Sequence, residues 1–178
     1  MKTEKYKPHV YYPCLDDEGW NREVEKLMPY CWGQGIDVGS GGRSPVPGQV
    51  RADCDRDRKP DIIVDSFKLP VKDNEFDYLT NLHVLEHFDD TGKVIREWLR
   101  VVKPGGYVLC VLPDKDYTPK HDQRHAPPEG VDAMWHYRMW NLAEFQNYLK
   151  ENKNFGARML DIGPALYDWS FYAILQKI

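Results

Sequence analysis

Residues 35–55 read GIDVGSGGRSPVPGQVRADCD. The stretch opens as a short strand, runs into a glycine-rich turn, and meets a second strand that ends in acidic residues. Glycine suits such a turn because it lacks a Cβ, tolerates positive φ and lets the backbone approach a ligand closely. Nucleotide-binding α/β folds place a helix between two such strands. Here the gap between Gly42 and Gln49 is RSPVPG, with two prolines in six residues, which leaves no room for a helix. The link must be an extended loop. Six residues reach about 20 Å, the length of a short strand. The next crossover, RDRK at 56–59, is again too short for a helix. One face of this half of the sheet is therefore thinly covered. Since an exposed apolar sheet face is unfavourable, a partner subunit (a homodimer) or the N-terminal segment is expected to cover it.

Working outward, PDIIVDSF reads as a third strand and FDYLTNL as a fourth, the latter following the turn-like KDNE. A helix is predicted over Val84–Val102, its apolar face broken around DDTG, and KPGG is expected to end it. YVLCVLP is a strong fifth strand, from Tyr107. NLAEFQNYLKENK, with Asn141 as cap, predicts a second helix. ARMLDIGPA and SFYAILQKI are two closing strands. Upstream, DDEGWNREVEKLMPY predicts a short amphipathic helix within an N-terminal segment, 1–32. Strands alternating with helices imply a mostly parallel sheet with its ligand beyond the carboxyl ends of the strands. Residues 114–131 form the longest stretch without clear periodicity, within an acceptor-side loop insertion expected over 114–140, and such loops are often functional lids or binding loops. The whole of 1–178 is expected to be one domain.

The composition narrows the function. The chain has 178 residues, six Trp and eleven Tyr, favouring a packed globular protein. Its formal net charge of −4 weighs against a nucleic-acid substrate. No apolar run approaches a membrane span, and the N-terminus has no apolar core of a signal peptide, so a cytoplasmic location is expected. The four cysteines (Cys14, Cys31, Cys54 and Cys110) match neither a metal site nor a disulfide framework.

The candidate site residues lie at the strand ends. Asp53 can accept bonds from both hydroxyls of a ribose, with Asp55 as competitor. Asp65 can accept from an adenine amino group, with Phe67 offering an apolar face. The turn lacks the third glycine of GxGxxG, where Ser44 stands, and has no long helix to receive a pyrophosphate, so a ligand without phosphates fits better.

The ordered set GIDVGSGG, VRADCD, PDIIVDSFKLPVKDNEFDYLTNLHVLEHF and IREWLRVVKPGGYVLCVLPD resembles the class I S-adenosylmethionine-dependent methyltransferases, most closely the compact UbiE-like (methyltransferase type 11) group. The match runs from about Ile36 to Asp114. The resemblance implies a three-layer Rossmann-like α/β fold, with seven strands, one of them antiparallel, and reduced helices after strands one and two. It implies S-adenosylmethionine as cofactor and a small-molecule acceptor. Carried over by position, Asp37, Gly39, Ser40 and Gly41 wrap the methionine part of the cofactor. Asp53 holds the ribose with Cys54 beside the adenine; Asp65, Ser66 and Phe67 frame the adenine. Asn81 and Leu82 follow the fourth strand towards the methyl-transfer side, and His83 is the candidate catalytic residue.

His83 and His87 are four apart, a spacing that on a helix shares one face. Glu86 does not complete an HExxH pattern and HVLEH recurs in the resembling family without metal, so no metal is expected. His87 is expected to pack. His121, His125 and His136 sit in or beside the long loop, where solvated histidines compete with an acceptor-site base. Trp135, Tyr137, Trp140 and Trp169 are candidates for an acceptor pocket or for core. Two rival functions are a methyltransferase-like binding module without turnover and a nicotinamide-dependent oxidoreductase.

Overall fold

The computed structural model describes residues 24–42, 44–64, 67–117, 136–165 and 170–178. The N-terminal segment up to residue 23, with Cys14, and also Asp65, Ser66, His121, His125, Trp135 and Trp169, lie outside them.

Seven strands form one sheet: β1 (Gly35–Val38), β2 (Val50–Asp53), β3 (Ile62–Ile63), β4 (Phe76–Leu82), β5 (Val102–Pro113), β6 (Ala157–Pro164) and β7 (Ser170–Lys177). Their order is β3-β2-β1-β4-β5-β7-β6. Every pair from β3 to β5 is parallel, and β7 runs antiparallel to both neighbours. This is the seven-stranded, mostly parallel sheet that the strand pattern and the resemblance implied.

The central strands are buried on both faces, and their alternation sorts the core into two layers. In β5, Val108, Cys110 and Leu112 face one layer, while Leu109 and Val111 face the other. Phe171, Ala173 and Leu175 of β7 follow the first, Tyr172 and Ile174 the second. Two helices, α1 (Thr91–Val101) and α2 (Leu142–Glu151), pack on the first layer through Val94, Ile95, Trp98 and Leu99 and through Phe145 and Leu149. The second layer is closed over β4, β5 and β7 by Val24 and Leu27, so residues upstream of β1 supply cover there.

The glycine-to-acid crossover has no helix, as its prolines require. After β2 there is a single 3-10 turn, Arg56–Arg58, capped by Asp55 accepting from the Asp57 N–H. The short loop before β2 is held by side chains. Gln49 accepts from the Val46 N–H at 2.9 Å and donates to the Thr80 hydroxyl at 2.9 Å.

Three boundaries differ from expectation. The helix predicted from Val84 starts at Thr91, because Asp90 caps it by accepting from the Lys93 N–H. Residues Leu85–His87 form a separate 3-10 turn, entered through His83 at φ +55°. β5 starts at Val102 rather than Tyr107: KPGG lies within the strand as an irregularity between the Phe76–Val102 and Tyr78–Tyr107 pairs. Gly106 is required there, since a Cβ would run into the Asp77 carbonyl. β3 is two residues long, not eight. α2 carries the expected Asn141 cap, completed by Glu144 as a capping box.

Candidate functional site

The carboxyl ends of β1, β2 and β4 converge on the glycine turn. The Gly39 N–H donates to the Ala52 carbonyl at 2.8 Å, and the Gly41 N–H donates to Asp53 Oδ2 at 2.7 Å. Asp53 Oδ1 accepts from the Asp55 N–H at 2.8 Å. Two backbone donors thus aim this buried carboxylate and leave further lone pairs on both oxygens. The turn itself depends on glycine. Gly39 has φ +74°, and a Cβ there would collide with a methyl of Val84. Gly41 has φ +54°, and among the described residues a Cβ there would meet nothing within 4 Å, which leaves open space above it.

Beneath the turn, Asp37 is buried. It accepts from the Thr80 hydroxyl at 2.7 Å and the Ser44 hydroxyl at 3.0 Å. Burial pushes its carboxyl up to about 7; the two hydroxyls work against that shift, and the Asp53 charge adds to it. Asp37 is thus a post that ties β1, β4 and the proline loop together. Ser40 is buried, and its hydroxyl has no hydrogen-bond partner among the described residues. An orphaned buried hydroxyl beside an open, glycine-lined space is the kind of group a bound ligand satisfies.

The remaining expected residues divide. Cys54 is exposed next to Asp53. Phe67 is half-buried against the core, with Lys93 Nζ 4.3 Å from its ring centroid. Asn81 is fully buried and donates into β5, to the Leu109 carbonyl at 3.3 Å and Cys110 Sγ at 3.1 Å. Leu82 belongs to the second core layer. These two side chains hold the sheet together. His83 stands at the end of β4, its N–H donating to the Val111 carbonyl at 2.9 Å and its Nδ1 3.9 Å from Glu86 Oε1.

His83 and His87 do not share a helix face, since no helix spans them. His87 is paired instead with His136, whose ring centroid lies 4.8 Å away in an edge-to-face contact. The long insertion brings this about. Its two ends are pinned by a bridge between Asp114 and Trp140, with the Lys115 N–H on the Trp140 carbonyl. Asp114 also accepts from the Leu142 N–H at 3.1 Å. The returning chain is tied to the turn after β4 through the Arg138 N–H and the Glu86 carbonyl, 3.2 Å apart. Trp140 is core rather than pocket wall, packed on Phe145 and Tyr148 with Arg138 over its ring; Tyr137 is exposed. Sequence reasoning missed Thr80, Gln49 and Val84 as supports of the turn, since their partners are distant in sequence. Glu86 and His136 belong together for the same reason.

A family profile described as a methyltransferase domain matches residues 44–110. A demethylmenaquinone methyltransferase of Staphylococcus saprophyticus is 39% identical over 59 residues, 33% of this chain and 25% of that protein. One from Bacillus mycoides is 46% identical over 46 residues, 26% of this chain and 19% of that protein. The aligned stretches thus span about a quarter or less of these curated relatives. Among solved structures, a chain from the complex between the Haloferax volcanii Trm112 methyltransferase activator and a methyltransferase has a TM-score of 0.68 at 13% identity, covering 91% of both chains. A SAM-dependent methyltransferase from Aquifex aeolicus has a TM-score of 0.66 at 15% identity, covering 92% of this chain and 94% of that one. The fold is that of the class I S-adenosylmethionine-dependent methyltransferases. The profile match runs from β2 into β5 and takes in Asp53, and the curated proteins that the chain resembles over part of their length carry the name of a methyltransferase.

Proposed function

We propose that this chain transfers a methyl group from S-adenosylmethionine to a small-molecule acceptor. The observation that carries the reading is the Gly41 N–H bond to Asp53, which seats a glycine-rich turn on an acid at the tip of β2, with open space above Gly41 among the described residues. Asp53 would accept the ribose hydroxyls through lone pairs its backbone donors leave unused. Gly39, Ser40 and Gly41 would line the methionine part, with Asp37 fixing the turn from below. Cys54 and Phe67 would flank the adenine, together with Asp65 and Ser66. When bound, the cofactor supplies an electrophilic methyl on a sulfonium. Positioning and exclusion of water then account for much of the rate. A base is needed only where the acceptor must lose a proton, and His83 would then be the candidate to take it.

Isothermal calorimetry with S-adenosylhomocysteine tests the donor half. One equivalent is expected to bind, and Asp53→Ala is expected to weaken binding by at least about tenfold, as loss of bonds to a charged group does. NAD, titrated in parallel, is expected to give no heat. Absence of binding by either S-adenosylmethionine or its product would overturn the reading. Demethylmenaquinone, which appears in the aligned relatives' names, is the first acceptor to assay.

A further inference from the structure

We propose that Glu86, His87 and His136 form a binding site for a divalent first-row transition metal ion, beside the end of β4 and at the neck of the insertion. One potential ligand atom from each residue lies within 4.8 Å of the others. Zinc-type bonds of about 2.0–2.2 Å put ligands roughly 3.4 Å apart around a tetrahedral ion, so modest side-chain movement closes the set.

Glu86 supplies an independent observation. Its side chain is only 1% exposed, and neither carboxylate oxygen has a hydrogen-bond partner among the described residues. The Nδ1 of His83, at 3.9 Å, is beyond hydrogen-bond range. A carboxylate taken out of water without bonds is costly unless a cation compensates it. The two imidazoles that meet at 4.8 Å sit on the side where that cation would rest.

Two imidazoles and a carboxylate suit zinc, cobalt, iron or manganese rather than magnesium or calcium, and three protein ligands leave a position open for water or an acceptor atom. The backbone favours the assembly, because Arg138 holds the His136 segment to the Glu86 carbonyl before any ion arrives. Val84 on Gly39 places the same turn against the cofactor loop. Metal binding does not depend on the methyl-transfer reading; only the ion's use towards an acceptor rests on it.

The test uses the full chain, stripped with chelator and titrated with Zn²⁺ by competition against a chromogenic chelator, and with Co²⁺ read by visible absorption. One equivalent of Zn²⁺ is expected, with a rise in Tm. Co²⁺ is expected to give ligand-field bands. His136→Gln, at a half-buried position, and His87→Gln are each expected to lower Zn²⁺ affinity by at least about tenfold and to change the cobalt spectrum. Calorimetry with S-adenosylhomocysteine on the same variants reports folding and the donor site separately. No Zn²⁺ binding by the native chain, or binding unchanged in both folded variants, would overturn the site.

Discussion

On one side of β4 the sheet is built from strands of two to four residues, joined by loops and a 3-10 turn. On the other side the strands run eight to twelve residues, and two helices lie across them. The short-stranded side carries the glycine turn, Asp37 and Asp53. The long-stranded side holds many of the large fully buried side chains, including Trp98, Phe145, Leu109 and Phe171, whereas β1 to β3 hold one, Ile36. The candidate binding groups and the bulky core groups are therefore largely segregated across one strand. In the binding half, polar posts replace helix packing. Gln49, Thr80 and Asp37 do with three hydrogen bonds what a crossover helix does with an apolar face.

The segregation can be broken most severely from the long-stranded side. Trp98→Ala removes the largest fully buried side chain and is expected to cost about 3–5 kcal/mol, read by urea or thermal unfolding. A loss below about 1 kcal/mol would mean that the helical layer is not where stability resides. Gly39→Ala attacks the other half. An alanine at φ +74° costs about 1–2 kcal/mol, and its methyl meets Val84. Loss of S-adenosylhomocysteine binding with a folded chain is the expected outcome, and Gly39→Ala with Val84→Ala should recover part of it. Unchanged binding in Gly39→Ala would refute the close approach.

Smaller effects sharpen the contrast. Asn141→Ala removes one member of the α2 capping box and is expected to lower stability by about 1 kcal/mol without changing cofactor affinity. The subtlest expectation concerns pH. Burial raises the Asp37 carboxyl to about 7 in the folded chain, above its unfolded value of about 3.9. The neutral form is thus favoured by folding. Its contribution is complete below about pH 4, is lost as pH rises towards 7, and does not change beyond that. Native Tm should therefore fall relative to Asp37→Asn between pH 4 and 7. Parallel Tm profiles for the two proteins would contradict the assignment.

The fold was legible where local chemistry decides it. Short apolar runs announced β4, β5 and β7, the prolines at 45 and 47 ruled out a helix, and Asn141 announced α2. What escaped was set by long-range partners. Asp90 moved a helix start by seven residues from Val84 because capping outweighed a broken apolar pattern. Gly106 became part of a strand because of a carbonyl on β4. Around the glycine turn, the strand-tip placement of Asp53 was readable from residue type and order, and the Gly41 N–H bond to it joins the two. Asn81 and Leu82 were chosen by position alone, and sequence did not show that the Asn81 side chain donates to the Leu109 carbonyl or that Leu82 joins the second core layer. His87 was paired by spacing with His83, yet its neighbour is His136, a contact that only the return of the insertion creates.

The placement of β7 between β5 and β6 has a kinetic side. β6 and β7 are consecutive in the chain and close as a hairpin, with the Ala165 N–H on the Ser170 carbonyl. Such a hairpin can zip within microseconds, whereas the parallel pairs need distant segments to find each other first. β5 cannot gain its second neighbour until β7 arrives, and β6 reaches the sheet only through β7. The pair should therefore dock as one prefabricated unit. Its amides are expected to gain exchange protection together in pulse-labelled refolding, rather than strand by strand.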